Sequence, residues 1–139
     1  MLDRRQFVAA TAAALGTLSG ACGGMTDVAG GATTGAGPHT IPLPAVGATV
    51  AIDGVGLGGQ GVAVTRLGAS SVVAVSRQCT HQNCTVGLPS APGQNLVCPC
   101  HLSAFTSSGA VVNGPAAAPL MTYPATIDVA TNTVVVTIT

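Results

Sequence analysis

The chain has 139 residues, enough for one compact domain and a leader. Four basic residues, all arginines, balance four acidic ones; nothing in this zero net charge suggests a basic face for nucleic acid or an acidic tail. Charged residues are 6% and aromatics 2% against 19 glycines, so the expected core is Val, Ile, Leu and Ala on short strands, not salt-bridged helices.

Residues 1–21 read as a signal peptide. Asp3-Arg4-Arg5-Gln6-Phe7-Val8 resembles the twin-arginine export motif, and an Ala-rich apolar run from Phe7 to Leu18 leads to Ser19-Gly20-Ala21. A membrane span wants about 20 apolar residues. This run is shorter and is interrupted by Thr11, Gly16 and Thr17, so a retained anchor is the alternative reading. Cys22, after small residues and before Gly23-Gly24, resembles the lipid-modified first residue of a bacterial lipoprotein, although Leu18 stands one place earlier than in the usual lipobox. Residues 22–39 are mostly Gly, Ala and Thr and are expected to form a flexible tether, because they bury too little apolar surface to offset ordering. His39, at its end, is expected to be a surface residue.

A domain is expected over residues 40–139. Thr40-Ile41-Pro42-Leu43 predicts an edge strand, since Pro42 cannot donate to a central ladder. Thr49–Ile52, Val62–Arg66 and Ser71–Val75 predict strands separated by the Asp53-Gly54 turn, a glycine-rich loop from Gly56 to Gly61, and the Gly68 turn. No Walker lysine and no G-x-G-x-x-G register accompany Gly56-Leu57-Gly58-Gly59, so a hairpin loop is expected there rather than a phosphate cradle. At the C-terminus, Tyr123–Val129 and Thr133–Ile138 predict a hairpin around Thr131-Asn132. The fold class is all-β.

Chemistry concentrates between Cys79 and His101. Cys79-Thr80-His81-Gln82-Asn83-Cys84 and Cys98-Pro99-Cys100-His101 hold four of the five cysteines and two of the three histidines. Thiolates and imidazoles are ligands of zinc, copper and iron–sulfur sites. A tetrahedral zinc uses four ligands, usually in two pairs, and would not use six candidates in two asymmetric boxes. A pure disulfide framework leaves His81 and His101 unexplained.

The two boxes, C-x-H-x-x-C and C-x-C-H, resemble those of Rieske iron–sulfur proteins. The resemblance extends through Ser103, Phe105 and Gly114-Pro115 to the C-terminus. It implies a 2Fe–2S cluster with one iron held by Cys79 and Cys98 and the other by His81 and His101. Cys84 and Cys100 would form a disulfide tying the loops together. It also implies a Rieske-type fold of small antiparallel sheets with the cluster loops at one tip. Replacing two thiolates by imidazoles makes the oxidised core roughly neutral, which places Rieske potentials at about −150 to +300 mV against about −400 mV for plant-type ferredoxins. Twin-arginine export carries folded, cofactor-loaded proteins, and a lasting disulfide belongs in an oxidising compartment. The leader and the boxes thus agree on a protein exported to the periplasmic side of the bacterial inner membrane and tethered there.

The implied activity is one-electron transfer. Its partners would be a cytochrome, a quinol oxidoreductase of the bc type, or a molybdenum enzyme such as arsenite oxidase. Ring-hydroxylating oxygenases carry the same boxes but need a further catalytic domain, for which the stretch after His101 is too short. A soluble ferredoxin serving them would normally lack Cys84, Cys100 and an export leader. Departures from the respiratory pattern are Leu102 and Asn83 at common glycine positions, Gln82 at an apolar one, and Phe105 where high-potential members carry tyrosine. Asn tolerates a left-handed backbone, so the first loop is expected to form with Asn83. Ser103 and Phe105 are expected to tune the potential, Ser103 by donating to a cluster sulfur and Phe105 by lacking a hydroxyl that would do so.

Overall fold

The computed structural model describes residues 33–139; the leader, Cys22 and the first part of the tether lie outside the described residues. The described residues form twelve strands and no helix. These are β1 (Thr33–Thr34), β2 (Gly37–Pro42), β3 (Thr49–Ile52), β4 (Gly56–Leu57), β5 (Val62–Arg66), β6 (Val72–Ser76), β7 (Leu96–Val97), β8 (Ala104–Phe105), β9 (Val111–Asn113), β10 (Thr122–Tyr123), β11 (Ala125–Asp128) and β12 (Thr133–Ile138). They build four antiparallel sheets, ordered β10-β6-β5-β3, β11-β12-β2, β7-β8-β9 and the two-stranded β1-β4.

The four-stranded sheet is the middle layer, and the period-2 alternation of its side chains explains why. Val62 and Val64 of β5 and Ala74 of β6 face the sheet β11-β12-β2, where they meet Val134, Val136 and Ile138. Between them on the same strands, Ala63 and Val75 face the other way and pack with Cys79, Val86, Leu96, Cys98, Phe105, Ala116 and Leu120 beneath the two boxes. A strand buried on both faces reads as a continuous apolar run, as Val62–Val64 does. Each fully buried valine contributes about 1.5–3 kcal/mol, so this layer is the floor on which the tip is built.

Three expectations are adjusted. The first concerns the tether: β1 pairs with β4, and β2 begins at Gly37, because the six-residue β12 offers ladder partners as far as Ile138↔Gly37. Paired strands are therefore present before Thr40, within the stretch expected to be a tether. As expected, β2 is an edge strand carrying Pro42.

The second concerns the segment Tyr123–Val129, which divides at Pro124. Thr122 and Tyr123 pair with Val75 and Ala74 in the middle sheet, whereas Ala125–Asp128 pair with Val136–Thr133 in the next one. Proline has no N–H for a ladder, so the chain changes sheet there, and the Pro124 carbonyl accepts the Thr137 N–H at 2.9 Å. The third is Asn83: the first loop forms with it as expected, but without a left-handed backbone there, since among the described residues the non-glycine residues with positive φ are Leu102 (63°) and Asn132 (55°).

Candidate metal centre

Both boxes are loops clamped by short ladders. The first lies between the bridged residues Gln78 and Thr85, and the Cys79 N–H closes it on the Cys84 carbonyl at 2.9 Å. The second joins β7 to β8, with the Cys98 N–H on the Ser103 carbonyl at 2.8 Å and the Leu102 N–H on the Cys98 carbonyl at 2.9 Å. This tight return places Leu102 in the left-handed region, which explains why glycine suits the position.

The side chains then sort by depth. Cys79 and Cys98 are free thiols buried against the apolar floor, within hydrogen-bonding reach of one another. His81 and His101 are exposed, their rings edge to face with centroids 4.8 Å apart. Cys84 and Cys100 are joined in a disulfide across the two loops, with Cα atoms 6.5 Å apart. The sulfurs of Cys84, Cys98 and Cys100 lie within 4.8 Å of one another, but two of these are bonded together and are not thiolate donors. The available donor set is therefore two inward thiols and two outward imidazoles, the composition that mixed thiolate–imidazole ligation of a 2Fe–2S cluster requires.

The thiols differ electrostatically. Burial works against the Cys79 thiolate, yet the N–H groups of His81 and Gln82 and the side chains of Cys98 and Ser103 outweigh it and hold the thiol below its ordinary value. At Cys98 burial prevails, reinforced by the neighbouring Cys79 and opposed by the N–H groups of Cys100 and His101, so that thiol is pushed up. Metal binding requires the thiolate, and the N–H groups that turn toward each sulfur are those of its own loop.

Ser103 is fully buried, and its Oγ accepts the Ala116 N–H at 3.0 Å, leaving its own hydrogen to donate toward Cys79. Phe105 is fully buried in the floor with both free cysteines. Two supports were not legible in the sequence. Thr80 Oγ1 donates to the Ala118 carbonyl at 2.6 Å, so the 114–119 loop is held by the first box through Thr80 and by the second through Ser103.

Gln60, in the glycine-rich loop, is the other support: its Nε2 donates to the Asn83 carbonyl at 3.0 Å and its Oε1 accepts from the Thr85 hydroxyl, gripping both neighbours of Cys84. That loop is anchored in turn by Tyr123, whose hydroxyl accepts the Leu57 N–H at 2.8 Å. Any side chain at Gly56 would come within 2.9 Å of the same hydroxyl. The glycines were a sign of close approach, but a lone Gln carries no signal without its partners.

The fold and site define an all-β iron–sulfur domain. The chain belongs to the family of the Rieske [2Fe-2S] domain, whose model matches residues 46–124, and its cofactor is a 2Fe–2S cluster. It is similar to the cytochrome b6-f complex iron-sulfur subunits of Chlorobaculum tepidum (38% identical over 58 residues, 42% of this chain and 32% of that one) and Synechococcus sp. strain JA-3-3Ab (40% over 62 residues, 44% and 35%). It thus spans about a third of the length of the curated relatives it matches. Among solved structures it resembles the cyanobacterial plasma membrane Rieske protein PetC3 from Synechocystis PCC 6803, with TM-score 0.53 and 30% identity over 63% of this chain and 84% of that one. The ferredoxin of carbazole 1,9a-dioxygenase from Nocardioides aromaticivorans IC177 is similar at TM-score 0.53 and 25% identity, over 72% and 98%.

Proposed function

We propose that the protein is an exported, membrane-tethered one-electron carrier. In this reading Cys79 and Cys98 hold the inner iron of the cluster and His81 and His101 the outer one, with residues 1–21 as its twin-arginine leader and Cys22 as its lipid attachment point. The observation that carries it is the sorting by depth: two buried thiols under two adjacent exposed imidazoles, braced by the Cys84–Cys100 disulfide. The cluster supplies one-electron redox chemistry. The chain's part is to exclude water from the thiolate side, orient the loop N–H groups on the sulfurs, and present His81 and His101 to a partner.

A partner in a cytochrome complex is supported by the similarity to cytochrome b6-f subunits. Gln82 and Phe105 point away from a standard quinol-oxidising subunit, so an exported molybdenum enzyme such as arsenite oxidase is the second candidate. The disulfide speaks against a ferredoxin serving an oxygenase.

Electron paramagnetic resonance on reduced cell fractions tests the whole reading. A rhombic signal is expected in the membrane fraction on its periplasmic side, abolished by Cys79→Ser, His81→Ala, Cys98→Ser or His101→Ala. One equivalent of zinc without iron would end the cluster assignment, and a signal confined to the cytoplasm would end the export assignment.

A further inference from the structure

Arg77 stands two residues before Cys79 and closes the neck of the first box. Its N–H donates to the Gly61 carbonyl at 2.9 Å, its carbonyl accepts the Val86 N–H at 2.7 Å, and its Nε donates to the Val86 carbonyl at 2.9 Å. The guanidinium also reaches Asp53 in the turn between β3 and β4, Nη1 to Oδ1 at 3.1 Å. The two partners are unequal: the Arg77 side chain is 16% exposed and that of Asp53 84%. Solvent and salt screen an exposed charge far more than a partly buried one. Asp53 therefore cancels only part of the positive charge felt inside the protein.

Little else at this end of the molecule carries charge. From Gln78 to Ile127, the span of both boxes and the 114–119 loop, there is no Asp, Glu, Lys or Arg. Among the described residues the other formally charged side chains are Arg66 and Asp128. Arg66 pairs with Val72, at the opposite end of β6 from Arg77, and its guanidinium is bonded to the carbonyls of Pro44, Gly68 and Ala69. Asp128 accepts the Ala130 and Thr131 N–H groups in the turn between β11 and β12. One cation at the neck of the box is thus not averaged away by neighbours. A cluster that gains an electron gains negative charge, and a nearby positive charge favours that form.

We propose that Arg77 is a tuning residue that raises the reduction potential of the cluster through space, and that Asp53 sets how much of its charge is felt. This rests on the reading that Cys79 is a cluster ligand. A guanidinium stays charged at any working pH, so the effect is a fixed field and not a titration. It offsets part of what Phe105 forgoes by lacking a hydroxyl.

A redox titration followed by the resonance signal tests this on the full chain, with wild type, Arg77→Gln, Arg77→Lys, Asp53→Asn and Arg66→Gln compared at one pH. A unit charge acting through an effective dielectric of about 20 should shift the reduction equilibrium about threefold to tenfold, or about 30–60 mV for one electron. Arg77→Gln should lower the potential by about that amount. Arg77→Lys keeps the charge and should keep the potential, while melting lower because the Nε bond to Val86 is lost. Asp53→Asn can still accept from Nη1, and should raise the potential by only about twofold in the same equilibrium because the carboxylate it removes is exposed. Arg66→Gln changes the net charge as much as Arg77→Gln and should leave the potential in place.

The signs separate a field from a brace. Arg77→Gln and Asp53→Asn break the same ion pair, so a purely structural role moves both potentials the same way, or moves melting alone. Opposite signs support the proposal. Where Arg77→Gln loads no cluster, Arg77→Lys at the wild-type value with Asp53→Asn above it supports it equally. Shifts of one sign in both, an unmoved potential in a loaded Arg77→Gln protein, or an equal shift in Arg66→Gln overturns it. A wild-type protein without the resonance signal, or a Cys79→Ser protein that keeps it, would instead defeat the ligand reading.

Discussion

The two halves of this molecule are stabilised by different means. In the floor, β2, β5, β6, β11 and β12 run four to six residues, pair in long registers, and interlock Val62, Val64, Val134, Val136 and Ile138. In the tip, the strands β7, β8 and β9 are two or three residues long and the register slips at Ala104/Phe105. There the backbone is held by a disulfide and by side chains bonded to it: Gln60 on Asn83, Thr80 on Ala118, Ser103 on Ala116. A ladder spreads stability over many residues, each replaceable. A tip braced by single bonds concentrates it, so substitutions of equal size should matter more locally there and leave the floor intact.

Cutting the disulfide should show this most strongly. Cys84 and Cys100 are 16 residues apart, a closure worth about 3 kcal/mol in the chain-entropy model. In Cys84→Ser, amide exchange should accelerate at Cys79–Thr85 and Cys98–Ser103 and stay slow in β5 and β12, and the cluster should be lost sooner. Uniform acceleration through both halves would mean that the halves are not separable.

Phe105→Tyr sharpens the contrast from the redox side. A hydroxyl added beside Cys79 and Cys98 would bond more strongly to the reduced cluster by about 1–2 kcal/mol, which for one electron is about 40–90 mV upward. Protein-film voltammetry reads it directly, and an unmoved potential would show that the hydroxyl finds no sulfur.

The smallest effect is expected at Gln60. Gln60→Ala removes two bonds to the first box, at about 1 kcal/mol each before solvent exposure is discounted. The cluster half-life should shorten several-fold with little change in the melting of the floor, and a floor that melted with it would place Gln60 in the hairpin rather than the tip.

Much of this was written locally. β3 and β5 match the runs read from Thr49–Ile52 and Val62–Arg66 because β-branched periodicity is a property of neighbours along the chain. The Asp53-Gly54 and Gly68 turns likewise need no distant partner. The cofactor was legible from two boxes whose residue types suit few other chemistries, and the pairing of Cys84 with Cys100 follows the family resemblance. The sequence by itself thus determined the all-β class, the strands of the floor, and the donor chemistry.

What only the tertiary structure decided are relations between residues far apart in the chain. Pro124 divides a continuous-looking strand because β6 and β12 compete for it and proline cannot serve a ladder on both sides. The sheet reaches back to Gly37 because β12 is long enough to pair with it. The left-handed position is Leu102 and not Asn83 because the Leu102 N–H returns to Cys98. Gln60 supports the box because Tyr123, 66 residues after Leu57, pins the loop that carries it. Each depends on which groups meet when the chain closes on itself, and a local pattern holds no record of that meeting.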